Sequence, residues 1–90
     1  MSNVIDNTQT GRFELAEQGL TAFAEYRRAG DRVVINHVES PMALRGRGTA
    51  GRLMEGIVAL GRENGWTFTL RCSYASTWFR RHPEFGDLVA

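Results

Sequence analysis

The chain reads as one α/β domain with a mixed sheet, in the order β-β-β-α-β-α. Three observations predict this. Two alternating stretches joined by a glycine turn come first, then a β-branched run from Arg32 to Glu39. A long amphipathic helix pattern then links that run to another alternating stretch, Trp66 to Arg71. An antiparallel meander followed by a strand–helix–strand crossover gives a sheet whose last pair is parallel and right-handed.

Residues 1–10 are polar and lack the basic and apolar regions of a secretory signal. They read as a flexible lead-in, and residues 11–90 read as the folded domain. Phe13 and Leu15 alternate with Arg12, Glu14 and Ala16, Glu17-Gln18-Gly19 turns the chain, and Leu20 to Arg27 returns. Ala29-Gly30-Asp31 is a second turn. The run Arg-Val-Val-Ile-Asn-His-Val-Glu suggests a central strand, which Ser40-Pro41 stops. Ala50, Leu53, Met54, Ile57, Val58 and Gly61 form one apolar helical stripe, and Asn64-Gly65 closes the helix. Ser73 reads as the cap of a second helix, Tyr74 to about Arg81, which His82-Pro83 ends. Phe85 to Val89 reads as a short tail able to add a last strand.

Composition narrows the function. Ninety residues make one modest core, and no stretch approaches the ~20 apolar residues that span a bilayer. The net charge of +1 argues for neither nucleic acid nor an anionic membrane. The aromatic residues Trp66, Trp78, Phe79 and Phe85 are not interleaved with the arginines as on an RNA-binding surface, and they read as core. All 11 Lys/Arg positions are Arg, so no side-chain amine can act as a base or form a Schiff base. One cysteine, Cys72, excludes an intrachain disulfide and a multi-thiolate zinc site, and fits a reducing, cytoplasmic setting. No metal-ligand spacing is present.

The stretch Leu44-Arg45-Gly46-Arg47-Gly48-Thr49-Ala50-Gly51-Arg52-Leu53 carries the strongest chemical signal. It joins the central strand to the long helix. Glycines let a backbone approach a ligand closely, and a helix starting there aims free N–H groups and its positive dipole end at the loop. That arrangement binds phosphate. The spacing is neither a Walker A nor a dinucleotide fingerprint. Three glycines could form a plain flexible turn. However, Arg45, Arg47 and Arg52 at the wrong end of a helix call for an anion to offset them.

Arg45-x-x-Gly48-x-Ala50 resembles the pyrophosphate-loop signature of the GNAT (GCN5-related) N-acetyltransferase superfamily. His37-Val38-Glu39-Ser40-Pro41, Ala43 to Gly48, Cys72-Ser73-Tyr74 and His82-Pro83-Glu84-Phe85 together resemble a short GNAT-like family, over roughly Phe13 to Val89. The resemblance implies a minimal GNAT-like fold that binds acetyl-coenzyme A (acetyl-CoA). Arg45, Gly46, Arg47, Gly48, Thr49 and Ala50 would hold the pyrophosphate. Arg32 to Glu39 would splay from Trp66 to Arg71, so that the cofactor enters the gap, and the backbone N–H near Val38–Glu39 would stabilise the oxyanion. The implied reaction transfers acetyl to an amine or protein acceptor. The N-terminal elements that usually build the acceptor site have no counterpart here, and a homodimer could supply that wall.

Three residues are catalytic candidates. Cys72 ends a crossover strand and starts a helix, where ligands bind and a thiolate is favoured; it could carry the acyl group, or be a small buried residue without reactivity. His37 and Glu39 are two apart in a strand and so share a face, one the pattern also gives to Val33 and Ile35. Either could take the proton of an acceptor ammonium, or the two could simply meet solvent and each other. His82 and Glu84 read as parts of a helix-stop turn. The alternative function is a non-catalytic acyl-CoA-binding or interaction module.

Overall fold

Alternation in the first third of the chain sets up the sheet. The computed structural model describes residues 3–90. Strands β1 (Ile5–Asn7), β2 (Arg12–Glu17), β3 (Leu20–Ala29), β4 (Arg32–Glu39) and β5 (Thr67–Leu70) form one five-stranded sheet in that order. The first four pair antiparallel; β4 and β5 pair parallel. Gln18 and Gly19 both take positive φ, the geometry that matches a two-residue hairpin to strand twist. Helix α1 (Thr49–Asn64) makes the crossover, and α2 (Ser73–Arg81) follows β5. Short 3-10 turns occupy Met42–Leu44 and Pro83–Leu88. The mixed α/β architecture is therefore the one the sequence predicts.

Register puts Phe13, Leu15, Ala22, Ala24, Val33, Ile35 and Phe68 on one sheet face, and all seven are buried. The α1 stripe of Leu53, Met54, Ile57 and Val58 packs on that face with Trp78 and Phe79 of α2. Phe68 meets both helices: its ring lies 6.1 Å from that of Phe79, and Gly61 lies directly against it. Both helices thus cover the same face. The opposite face, bearing Arg12, Glu14, Glu25, Arg27, Val34 and Thr69, carries no helix among the described residues.

Three details differ from expectation. Ile5–Asn7 lies in the stretch expected as a lead-in, yet it pairs with β2. The Tyr26 hydroxyl, stacked by its ring on Phe13, donates to the Asp6 carboxylate and ties this edge strand down. Cys72 rather than Ser73 precedes the first turn of α2, and no side chain caps it. Phe85 falls in the Pro83–Leu88 turn and packs back on the core, while the strand-like contact of the tail is a single bridge from Val89 to Phe68.

Gly61 shows why the apolar stripe contains a glycine. A Cβ there would sit 2.6 Å from a buried Phe68 ring carbon. Gly61→Ala should overpack the core by ~1–3 kcal/mol, exceeding the gain of about 1 kcal/mol in helix propensity. At Gly51 a Cβ would meet Trp78 Nε1 at 3.9 Å, an ordinary contact. Urea denaturation should therefore show a net loss for Gly61→Ala and a net gain for Gly51→Ala.

Candidate functional site

The loop between β4 and α1 is built from two glycine-dependent turns. The Leu44 carbonyl accepts from the Arg47 N–H at 3.2 Å. Arg45 sits at φ −65°, ψ 141° and Gly46 at φ 79°. This is a type II turn, which demands glycine at its third position. Gly48 then starts α1 at φ 78°, ψ 10°. A helix usually begins with a Ser, Thr, Asp or Asn whose side chain accepts from the first amides. Gly48 has no such group. Among the described residues nothing accepts from the N–H groups of Gly46, Gly48, Thr49, Ala50 or Gly51. Five donors and the positive end of a 16-residue helix therefore face the same loop.

The three arginines divide. Arg52 is engaged by the protein itself: Nε donates to Glu17 Oε2 at 2.7 Å and a terminal nitrogen to Glu17 Oε1 at 2.9 Å. That same nitrogen donates to the Arg47 carbonyl at 2.8 Å. The anion that offsets Arg52 is thus an internal carboxylate at the end of β2. Thr49 is buried, and its hydroxyl donates to the same carboxylate at 2.7 Å, so its contribution to the loop is its amide. Arg45 and Arg47 are exposed, and among the described residues neither side chain has a partner.

A groove runs from this loop to β4. One cavity of about 240 Å³ lies against the loop, and a second of about 340 Å³ lies against His37, Val38 and Glu39. Ser40, Arg45, Ala50 and Tyr74 line both, so the two cavities adjoin. The Ser40 hydroxyl oxygen is buried there without a hydrogen-bond partner. Ser40 and Tyr74 lie within the sequence motifs, but the pattern alone gives neither a role, because an orphaned hydroxyl and a shared wall exist in three dimensions alone. Burial raises the Tyr74 phenol above its ordinary value, with Arg81 opposing.

Beyond Ile35 the two parallel strands part. The last ladder pair is Ile35 with Leu70, followed by one bond from the Arg71 N–H to the Ile35 carbonyl. At this point β4 carries a bulge: Tyr26 faces Ile35 while Glu25 faces His37, leaving Asn36 as the extra residue. A bulge reverses which side chains face the core. This corrects one expectation: His37 and Glu39 do not share a face with Val33 and Ile35. Val38 takes the core side instead, and His37 and Glu39 stand on the open face, where His37 meets the Phe23 ring edge-on. His37 Nε2 and Glu39 Oε1 are 3.2 Å apart.

Cys72 is partly buried, packs against the core and lines neither groove cavity. His82 stacks on Trp78 at 4.0 Å, and its Nδ1 donates to the Trp78 carbonyl at 2.7 Å, fastening the end of α2. It does not join the groove.

A family model described as GCN5-related N-acetyl-transferase matches residues 12–88. The chain belongs to this family. Its fold is shared by a GCN5-like protein from Staphylococcus aureus solved in solution by NMR. The two align with a TM-score of 0.68 and 21% identity, over 100% of this chain and 91% of the other. A search of the curated proteins finds no match. Family and fold together make the chain N-acetyltransferase-like, and no helix among the described residues is long and apolar enough to cross a membrane.

The Glu17 clamp makes the stability of the fold depend on pH. Hydrogen bonds from Arg52 and Thr49 hold its carboxyl down from 4.5 to about 2. A depressed carboxyl stabilises the fold above its unfolded value and loses that contribution as pH falls through the folded one. Stability from chemical denaturation should fall as pH drops from about 4.5 toward 2, and Glu17→Gln should lower stability at neutral pH and flatten that slope.

Proposed function

We propose that this chain is an N-acetyltransferase that binds acetyl-CoA along the groove and delivers its acetyl group to an amine arriving from the open sheet face. The observation carrying this reading is the set of five free amides beside two unpaired arginines, a donor array suited to pyrophosphate. The orphaned Ser40 hydroxyl fits the same ligand, since a buried polar group without a partner costs free energy until something bonds to it.

Bound acetyl-CoA supplies the acyl thioester. The residues of the chain do the rest. The amides of Gly46, Gly48, Thr49, Ala50 and Gly51 take the phosphate oxygens, and Arg45 and Arg47 add charge. The parted β4 edge offers backbone N–H groups near Val38–Glu39 to the oxyanion, a contribution of about 3–4 kcal/mol for one well-aimed donor. A carboxylate can only accept, so the proton between His37 and Glu39 sits on Nε2; in neutral His37 the lone pair is then on Nδ1. Nδ1 takes the proton of the attacking amine. The Tyr74 hydroxyl, protonated at neutral pH as an ordinary phenol is, returns a proton to the departing sulfur. Cys72 lies outside both groove cavities, which favours direct attack over an acyl-cysteine route.

Calorimetric titration with acetyl-CoA tests this. Micromolar binding is expected, weakened at least about tenfold in the Arg45→Ala/Arg47→Ala variant. Tyr74→Phe should retain binding and lose turnover, whereas Cys72→Ala should retain both. Absence of binding at millimolar acetyl-CoA would overturn the reading; lost turnover in Cys72→Ala would restore the acyl-cysteine route; tight binding without turnover on any amine would leave an acyl-CoA-binding module.

A further inference from the structure

The open face of the sheet holds a cavity that the groove does not explain. It has a volume of about 480 Å³ and is lined by Arg27, Val34, Asn36 and Arg71. Both guanidinium groups are exposed, and among the described residues neither has a carboxylate partner. Three arginines are paired with carboxylates, Arg12 with Glu25, Arg52 with Glu17 and Arg62 with Asp87; Arg27 and Arg71 are set apart by sharing one cavity. Two unpaired cations sharing one cavity repel each other, and an anion between them would remove that repulsion. The planar guanidinium fork matches a carboxylate.

The position of the cavity matters as much as its charge. Arg27 pairs with Val34 across β3 and β4. Asn36 is the bulged residue, and Arg71 follows the last β4–β5 pair. The cavity therefore lies where the two strands part, on the face that also carries His37 and Glu39. On that face Arg27 and Arg71 sit at the parted strands, and His37 with Glu39 lies further along β4, beside the Arg12–Glu25 pair and Phe23. Glu14, Glu25 and Glu39 on the same face oppose a polyanion such as nucleic acid, and a plain amine would leave the arginines unmatched.

We propose that the acceptor is an amine that also bears a carboxylate, with the carboxylate held by Arg27 and Arg71 and the amine directed toward His37. This rests on the acetyltransferase reading above. The side-chain amide of Asn36 adds a further donor, and Val34 supplies an apolar floor. Transfer forms the amide N–C bond and breaks the thioester C–S bond. The amine proton goes to His37, and a proton from Tyr74 goes to the sulfur.

Two measurements separate the outcomes. In the first, ¹⁵N-labelled protein without acetyl-CoA is titrated with free α- and ω-amino acids, and separately with their carboxamides. The acids should shift the Arg27, Asn36 and Arg71 amides; the carboxamides should not. Arg27→Gln/Arg71→Gln should weaken the acids at least about tenfold. In the second, release of the CoA thiol is followed with the same amines and with their decarboxylated counterparts. The double variant should raise KM for the acids while leaving acetyl-CoA binding unchanged. No shifts with any acid, or equal use of acids, carboxamides and plain amines, would overturn the inference. Acid binding without turnover would support the carboxylate site and count against the transferase reading. Turnover on plain amines alone would do the reverse.

Discussion

A single carboxylate fixes where the long helix begins. Glu17, the last residue of β2, receives the Thr49 hydroxyl and two Arg52 nitrogens, and Arg52 also reaches the Arg47 carbonyl. These bonds join the end of a strand, the first turn of α1 and the glycine loop. They also occupy the Glu17 carboxylate, an acceptor that could otherwise have taken the first amides. With Gly48 at the cap, the first amides are left to the groove. A Cβ on Gly48 would sit 3.1 Å from the Arg52 guanidinium and would be strained at φ 78°, so the clamp and the glycine constrain each other. An anion site at a helix start needs both a rigid start and vacant donors, and this arrangement supplies the two together.

The second constraint is the bulge at Asn36. It ends the β4–β5 ladder and exchanges the faces of the residues that follow. Val38 stays with the core, and His37 and Glu39 turn to the face that carries no helix among the described residues. The groove and the open face therefore approach the parted strands from opposite sides. A donor on one side and an acceptor on the other can meet there without competing for the same walls.

Much of this was legible in the sequence. The 3.6-residue stripe from Ala50 to Gly61 fixed α1, and the glycine spacing marked the loop, because both depend on local patterns. The aromatic core was legible for the same reason. Tertiary partners were not. Nothing near Arg52 in the chain points to Glu17, 35 positions earlier. Strict alternation along Arg32 to Glu39 gives the wrong face to His37 and Glu39, since the extra residue of a bulge leaves no mark in a β-branched run. Ile5–Asn7 is polar enough to read as a lead-in and is held by Tyr26 from two strands away. The orphaned Ser40 hydroxyl and the shared wall of Tyr74 required the fold itself.

In the proposed function, backbone amides rather than arginine side chains alone hold the pyrophosphate. Amide-resolved NMR during titration with acetyl-CoA tests it most directly. The largest shifts should fall on the N–H groups of Gly46, Gly48, Thr49, Ala50 and Gly51, and they should persist, at higher ligand concentration, in the Arg45→Ala/Arg47→Ala variant. Shifts that bypass these five amides while acetyl-CoA binds elsewhere on the protein would contradict it.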